Sequence, residues 1–233
     1  MRLQYKLKLN MIFCMRYILL LSFLSLFGTQ SIANEQIRLY KQYVVGMPKI
    51  FLQKTHILED CSTRYEQGTL CLQKHSLAGE EAELAFRFLN DRLVSVVLMM
   101  PLTDVGKIKK MFHALKTQFD LVLIEDGKEK FDILEVSNNT FNKNEFTKMI
   151  ADFENEAYQK HSIKYTFISK DEFIAQSRIA RNFAGIFKDA PIKMRAATYN
   201  VGRKDGSVIG TISFIVPGIT KEYLDKNPIV EDF

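Results

Sequence analysis

The chain contains no tryptophan and only five prolines in 233 residues. So few prolines exclude a collagen-like or proline-rich chain. The familiar catalytic signatures are missing as well: there is no G-x-S-x-G elbow, H-E-x-x-H, P-loop, G-x-G-x-x-G or C-x-x-C. Histidine is scarce and scattered, at His56, His75, His113 and His161. Each reads as a surface or boundary residue rather than a general base. His113 falls in a lysine-rich stretch, and His161 falls near an expected helix C-terminus, where a cation is favoured by the dipole. Beyond residue 33 no segment approaches the 18 apolar residues that a membrane-spanning helix requires.

A surplus of positive charge is also lacking where it would count. Four of the 32 basic side chains, Arg2, Lys6, Lys8 and Arg16, lie in the first 33 residues, which hold no acidic residue. The remainder carries 28 basic against 27 acidic side chains, a net charge of +1. Nucleic-acid binding is driven by neutralising phosphates with clustered Lys and Arg, so DNA or RNA is not the expected partner. What is present is 47% hydrophobic, 12% aromatic and 25% charged residues. That excludes an intrinsically disordered chain and leaves enough material for one sizeable domain or two small ones.

Residues 1–33 read as a secretory signal peptide: basic residues first, then Tyr17 to Phe27 with nothing more polar than serine, then Ser31 and Ala33 at the −3 and −1 positions of a cleavage site. Eleven residues make about 16 Å of helix, roughly half of a ~30 Å hydrocarbon core, so a permanent transmembrane anchor is not expected. Met11 and Met15 are alternative starts. Cys14 precedes the apolar run, whereas a lipid-bearing cysteine would follow it; it is expected to leave with the signal. The mature chain is expected in an exported compartment, periplasmic first and secreted second.

That compartment gives meaning to Cys61 and Cys71, which enclose the polar, turn-rich STRYEQGTL. In an oxidising space they read as a disulfide closing a short loop. A metal set of His56, Cys61, Cys71 and His75 would have the spacing H-x4-C-x9-C-x3-H, which lacks the close ligand pairs of short zinc sites. No metal and no cofactor are expected.

The expected fold is α+β, mainly antiparallel hairpins with three to four amphipathic helices packed on the sheet. Pro48 opens a short helix to about His56. Ala82–Phe88 and Leu93–Met99 alternate about an Asn90-Asp91 turn, and the second strand, apolar throughout, should be central and covered on both faces. Thr103 or Asp104 caps a helix to about Gln118 with Val105, Ile108, Phe112, Leu115 and Phe119 inward and Lys107, Lys109, Lys110 and Lys116 outward. A second hairpin runs Leu121–Ile124 to Lys130–Val136, turning at Asp126-Gly127. The polar tract Ser137-Asn138-Asn139-Thr140 is the expected boundary, and in a eukaryotic host it is also a glycosylation sequon. A helix follows to about Lys160 with Phe146, Met149, Ile150, Phe153 and Ala157 inward. Then come a strand at Ile163–Ile168, a helix to about Arg181 behind a Ser169-to-Glu172 capping box, and a hairpin Ile192–Val201 to Ser207–Val216 through Asp205-Gly206.

Leu93–Lys109 and Ser207–Lys221 echo one another: each is the outgoing strand of a hairpin, then a proline (Pro101, Pro217), then a threonine (Thr103, Thr220). The echo is either chance or the mark of two related halves, about 37–136 and 137–233; the expected domains are the signal at 1–33 and α+β halves at 34–136 and 137–233, which can form one domain together.

Tyr43-Val44-Val45-Gly46-Met47-Pro48-Lys49 and the hairpin segment Phe86-Arg87-Phe88-Leu89-Asn90-Asp91-Arg92-Leu93-Val94-Ser95-Val96 carry a further reading. Over about residues 43–98 the chain resembles small bacterial envelope proteins of the BamE-like kind. Those have a Gly-Met helix start and, later, a strand pair of the form aromatic-x-Phe-x-(Asp/Asn)-x-x-Leu-x-x-Val. Pro48 stands where the family has a hydroxyl cap, the cysteine loop intervenes, and the lipid-bearing cysteine is missing. The resemblance implies a non-catalytic accessory role in the envelope.

Glu80, Glu81 and Glu83 form the densest acidic cluster, and Asp104, Glu125 and Asp126 are further carboxylates, but a hydrolytic pair needs burial to raise one pKa and these sit at expected turns. No catalytic residue is assigned. Tyr40, Tyr43, Tyr158, Tyr165, Tyr199 and Tyr223 can either line a partner surface or fill the core. The expected function is a non-catalytic protein-binding module, an envelope accessory, inhibitor or immunity-type protein whose partner is another envelope or exported protein. The alternatives are an exported hydrolase or metal-dependent enzyme with a fold-assembled site, and a lipid or small-ligand carrier.

Overall fold

A computed structural model describes residues 36–219, apart from 78, 141, 161, 189 and 205, together with Lys226. The expected signal peptide lies outside the described residues, as do His161, Asp205, Thr220 and Tyr223. The elements in chain order are β1 (Arg38–Tyr40), β2 (Tyr43–Val44), α1 (Lys49–Thr55), β3 (Glu59–Asp60), β4 (Leu70–Leu77), β5 (Glu80–Leu89), β6 (Arg92–Pro101), α2 (Val105–Lys116), β7 (Phe119–Glu125), β8 (Lys130–Asp132), α3 (Ile133–Asn139), α4 (Lys143–Gln159), β9 (Ser162–Ser169), α5 (Lys170–Gln176), α6 (Phe183–Lys188), β10 (Ala196–Lys204) and β11 (Ser207–Ile215). The fold is α+β, with six helices among the described residues rather than three to four.

Nine strands form one antiparallel sheet in the order β3-β4-β5-β6-β11-β10-β9-β7-β8, and β1 and β2 make a separate two-stranded ribbon. Alternation decides its faces. One lateral row reads Leu70, Phe86, Val96, Phe214, Ala197, Phe167, Leu121, and the next reads Leu72, Leu84, Leu98, Ile212, Tyr199, Tyr165, Ile124, Phe131. Every member is apolar or aromatic, and this face packs under the ribbon, α1, α2 and α4 in the main core. On β11, Gly210 is closely packed: a Cβ there would lie 2.8 Å from Leu102 Cδ1 and 3.2 Å from the Tyr199 ring, so a side chain would have to displace Leu102.

The strand order divides the sheet at β6 and β11. The meander β4-β5-β6 follows α1, the meander β9-β10-β11 follows α4, and the two meet by antiparallel pairing of their third strands, centred near Val97 and Ser213. The hairpin β7–β8 belongs spatially to the second group, pairing with β9, although it falls within the first of the two expected segments.

Chain entry is fixed by a short return. Gly46 (φ +83°) turns the chain out of the ribbon, and the amides of Gly46, Leu93 and Lys49 donate to Leu93, Met47 and Asp91 carbonyls at 2.8, 2.9 and 2.8 Å. The Gly46-Met47-Pro48 segment thus rests on the β5–β6 turn, where Asn90 and Asp91 both take positive φ as a tight hairpin requires.

Several boundaries move for identifiable reasons. The strand expected through Val136 stops at Asp132, whose carboxylate accepts from the Leu134 and Glu135 amides and starts α3 there. Ser137–Asn139 is accordingly helical rather than a linker. The same carboxylate accepts from the Phe183 amide at 2.5 Å, tying α6 to α3. Ser169 makes no side-chain cap bond, and the single helix expected to Arg181 is the shorter α5 followed by a separate α6. Strand β4 was not foreseen, and β10 begins at Ala196 rather than Ile192. The tilt of α2 also differs: Met111 and Leu115 are buried while Val105 is 63% exposed.

Candidate functional site

The second face of the sheet is polar along its middle. Cys71, Ala85, Val97, Ser213, Thr198, Thr166 and Leu123 form one row, and Glu83, Met99, Thr211, Asn200, Lys164, Glu125 and Lys130 form the next. Its two flanks are covered. On one side Cys61 and Cys71 are joined in a disulfide, and Tyr65 of the enclosed loop packs on them with Ala85 and Val97. The Tyr65 hydroxyl donates to Glu83 at 3.1 Å and Arg64 reaches the same carboxylate at 2.6 Å. On the other side Ile168, Met194 and Ile186 pack with α3, α5 and α6. Between the flanks Thr198, Thr211, Ser213 and Met99 are half-buried and Asn200 is exposed. Ser95 Oγ, buried on this face, has no hydrogen-bond partner.

A second concavity lies on the opposite side of the sheet. A cleft of about 890 Å³ separates α2 from α4. Val105, Ile108 and Phe112 form one wall, Ala151, Glu154 and Tyr158 the other, and Tyr165 and Val201 lie beneath. The sequence periodicity that placed Val105, Ile108 and Phe112 inward found an apolar stripe; that stripe faces this opening as well as the sheet. The Tyr158 and Tyr165 hydroxyls lie 3.2 Å apart. Tyr199 stacks behind Tyr165 with ring centroids 6.1 Å apart, fully buried, and its hydroxyl has no partner. Burial pushes the Tyr165 and Tyr199 hydroxyls well above the ordinary phenol range.

Glu154 is the one acid along the described lining. Burial raises its carboxyl above the ordinary range, against a smaller opposing effect of the Tyr165 hydroxyl. A group whose folded pKa is raised stabilises the fold below its unfolded value, about 4.3, and loses that contribution as pH climbs through the folded value. Glu154→Gln is therefore expected to raise the melting temperature relative to the unaltered protein at pH 8 and not at pH 4. Equal shifts at the two pH values would refute this account of Glu154.

The other residues singled out in the sequence are apart from one another. His56 lies 3.4 Å from the Tyr43 hydroxyl; His75 lies 3.1 Å from Tyr40 and 3.0 Å from Lys41 Nζ. Burial first, and Lys41 second, lower the basicity of His75. Glu80 is held by Lys107 and Lys110 of α2, Glu81 is exposed, and Asp104 caps α2 through the Lys107 amide. Glu125 is paired with Lys164 and Lys130. Asp126 accepts the Lys128 and Glu129 amides and the Lys160 ammonium, which hold its carboxyl well below the usual range. Among the described residues no three His, Cys, Asp or Glu side chains group as a metal site would need, and no helix is long and apolar enough to cross a membrane. Tyr40, Tyr43, Tyr165 and Tyr199 are core residues; Tyr158 stands at the cleft. Glu154, Ala151 and Val201 were not singled out as site residues, and nothing in the local sequence marks them.

Compared with protein-family models, with curated proteins and with solved structures, the chain finds no match in any of the three.

Proposed function

We propose that the protein is exported and acts without catalysis, by binding another envelope or exported protein through the open face of its sheet. The observation that carries this reading is the asymmetry of the two faces. One carries two rows that are apolar from β4 to β7 and pack under the ribbon and helices, whereas the other keeps Thr198, Thr211, Ser213 and Asn200 on its central strands. Small hydroxyl and amide side chains there leave room for an incoming loop or helix, and the Tyr65 loop and the α5–α6 side stand as its borders. Tyrosine at such a border suits a contact that is apolar in body and polar at the tip. The carboxylates of the flanking ion pairs, Glu83 and Glu125, are already engaged, so specificity would come from shape and hydrogen bonding more than from net charge.

The reading includes a finer statement, that residues 34–136 and 137–233 contain two related halves. It is supported by the paired meanders that meet at β6 and β11. Self-pairing of equivalent strands antiparallel is the arrangement a duplicated unit adopts most readily, since it is self-complementary. The resemblance to BamE-like envelope proteins is consistent with the packing of Gly46-Met47-Pro48 on the β5–β6 turn.

A photo-crosslinking residue at Thr211 tests the proposal in cells that export the protein. One dominant protein adduct is expected from Thr211 and none from Met149, which is 38% exposed on α4 above the opposite face. Thr211→Arg should abolish the interaction while leaving the melting temperature near that of the parent. Adducts of equal strength from both positions, or from neither, would sink the reading.

A further inference from the structure

We infer that the cleft between α2 and α4 is a ligand site for a monoanionic amphiphile, an apolar chain carrying one acidic head group. This is a binding activity separate from the protein contact proposed for the open sheet face, and it does not depend on that contact.

The first support is the shape and lining. A cleft of about 890 Å³ lies within the ~300–1,000 Å³ range of small-ligand sites. Ile108, Phe112, Val201 and Val208 supply apolar wall and floor. Val105, 63% exposed, and Tyr158, 40% exposed, stand along it. A folded chain leaves such groups uncovered at a cost in apolar hydration, and an acyl chain laid between the helices would remove that cost.

The second support is the distribution of charge. Four lysines of α2 divide into two sets. Lys107 and Lys110 are both paired with the single Glu80 carboxylate, at 2.7 and 3.1 Å. Lys109 and Lys116 line the cleft with Arg203 from β10, and among the described residues none of these three has a carboxylate partner. Lys116 instead lies 5.7 Å over the Phe112 ring. Against three cations the lining offers one acid, Glu154. A single anionic head beside Lys109, Lys116 and Arg203 would meet this surplus, in the manner of charge-assisted hydrogen bonds.

The third support is polar. The Tyr158 and Tyr165 hydroxyls, 3.2 Å apart, both stand in the lining of the cleft. They place hydrogen-bonding groups beside the apolar walls, as small-ligand sites do.

The probe is cis-parinaric acid, whose fluorescence rises on transfer to an apolar site, added to the mature protein and displaced by oleate. Saturable one-to-one binding is expected, with oleyl alcohol, which has the same chain length and no charge, competing about tenfold less well. Ala151 is exposed on α4 and lines the cleft, so Ala151→Trp should fill it and remove binding without disturbing the core. Lys109→Glu with Lys116→Glu should weaken parinarate by at least about tenfold and leave oleyl alcohol unchanged. Circular dichroism of both variants separates lost binding from lost folding. Absent or non-saturable fluorescence, or parinarate binding to folded Ala151→Trp as tight as to the parent, would overturn the assignment. Oleate and oleyl alcohol competing equally would overturn its anionic part. None of these outcomes bears on crosslinking from Thr211.

Discussion

Replacing Cys61 and Cys71 together by alanine is expected to lower the unfolding free energy by roughly 2–3 kcal/mol, and reduction of the parent by dithiothreitol should approach the same value. In the chain-entropy model a loop of this length, sequence separation 10, accounts for roughly that amount by restricting the unfolded chain. Packing adds to it, because both cysteines are essentially inaccessible and contact Ala85 and Val97 under the Tyr65 ring. Alanine is the suitable replacement, since a serine hydroxyl there would be buried without a partner. Of the described strands, β3 has only two residues, Glu59 and Asp60, pairing with Cys71 and Leu70; the loop beyond it is tied mainly to itself, the Cys61 amide donating to the Thr69 carbonyl and the Arg64 and Tyr65 amides to the Cys61 carbonyl. The consequence extends to the contact proposed for the open face. Tyr65 and Arg64 reach Glu83 from this loop, and a slack loop would no longer hold that border of the open face. Urea denaturation with and without reductant measures the effect. Identical midpoints for oxidised and reduced protein would show that the loop is held by its packing instead.

What could be read from residues alone follows the strength of local signals. The β5–β6 hairpin was legible because Leu84, Phe86 and Phe88 alternate with polar neighbours and Asn90-Asp91 accepts positive φ at low cost. β10–β11 was legible as well, up to the start of β10. β4 was not: Gln73-Lys74-His75-Ser76 lies toward the edge of the sheet, half solvated, with a register shift between Leu72 and His75 that breaks alternation. α3 was hidden because one carboxylate, Asp132, ends a strand, caps a helix and bonds a third element 51 residues away. The cysteine pair was legible from its short spacing around a polar, turn-rich loop. The cleft was not, since its two walls lie 46 residues apart in the chain, and helical periodicity reports that a face is apolar without saying whether sheet or ligand covers it. Val105, expected inward, is 63% exposed beside the cleft for this reason. The unpartnered Tyr199 hydroxyl depends on strand order, which no local pattern encodes.

Phe86→Ala is expected to be more damaging still, at about 3–5 kcal/mol, the range for deleting a fully buried phenylalanine and leaving a cavity. Phe86 is wholly inaccessible. Leu70 and Val96 flank it along its row, and Tyr43 meets it edge-on with ring centroids 4.8 Å apart. These neighbours cannot close on the void readily. Val96 is fixed in a central ladder, Leu70 is buried between Phe86 and Asp60 of the edge strand, and Tyr43 is 1% exposed at the root of the β1–β2 ribbon. Aromatic edge-to-face contact contributes a further ~0.5–1.5 kcal/mol beyond area alone. Native domains hold about 5–15 kcal/mol in total, so the variant should be partly unfolded at growth temperature. Phe51, 36% exposed on α1, is the comparison, and Phe51→Ala should cost less than about 1 kcal/mol. Differential scanning calorimetry of both decides the point. A Phe86→Ala melting temperature within a few degrees of Phe51→Ala would mean that the ribbon and α1 rest loosely on the sheet. The description of Tyr43 and Phe86 as one packed unit would then fail.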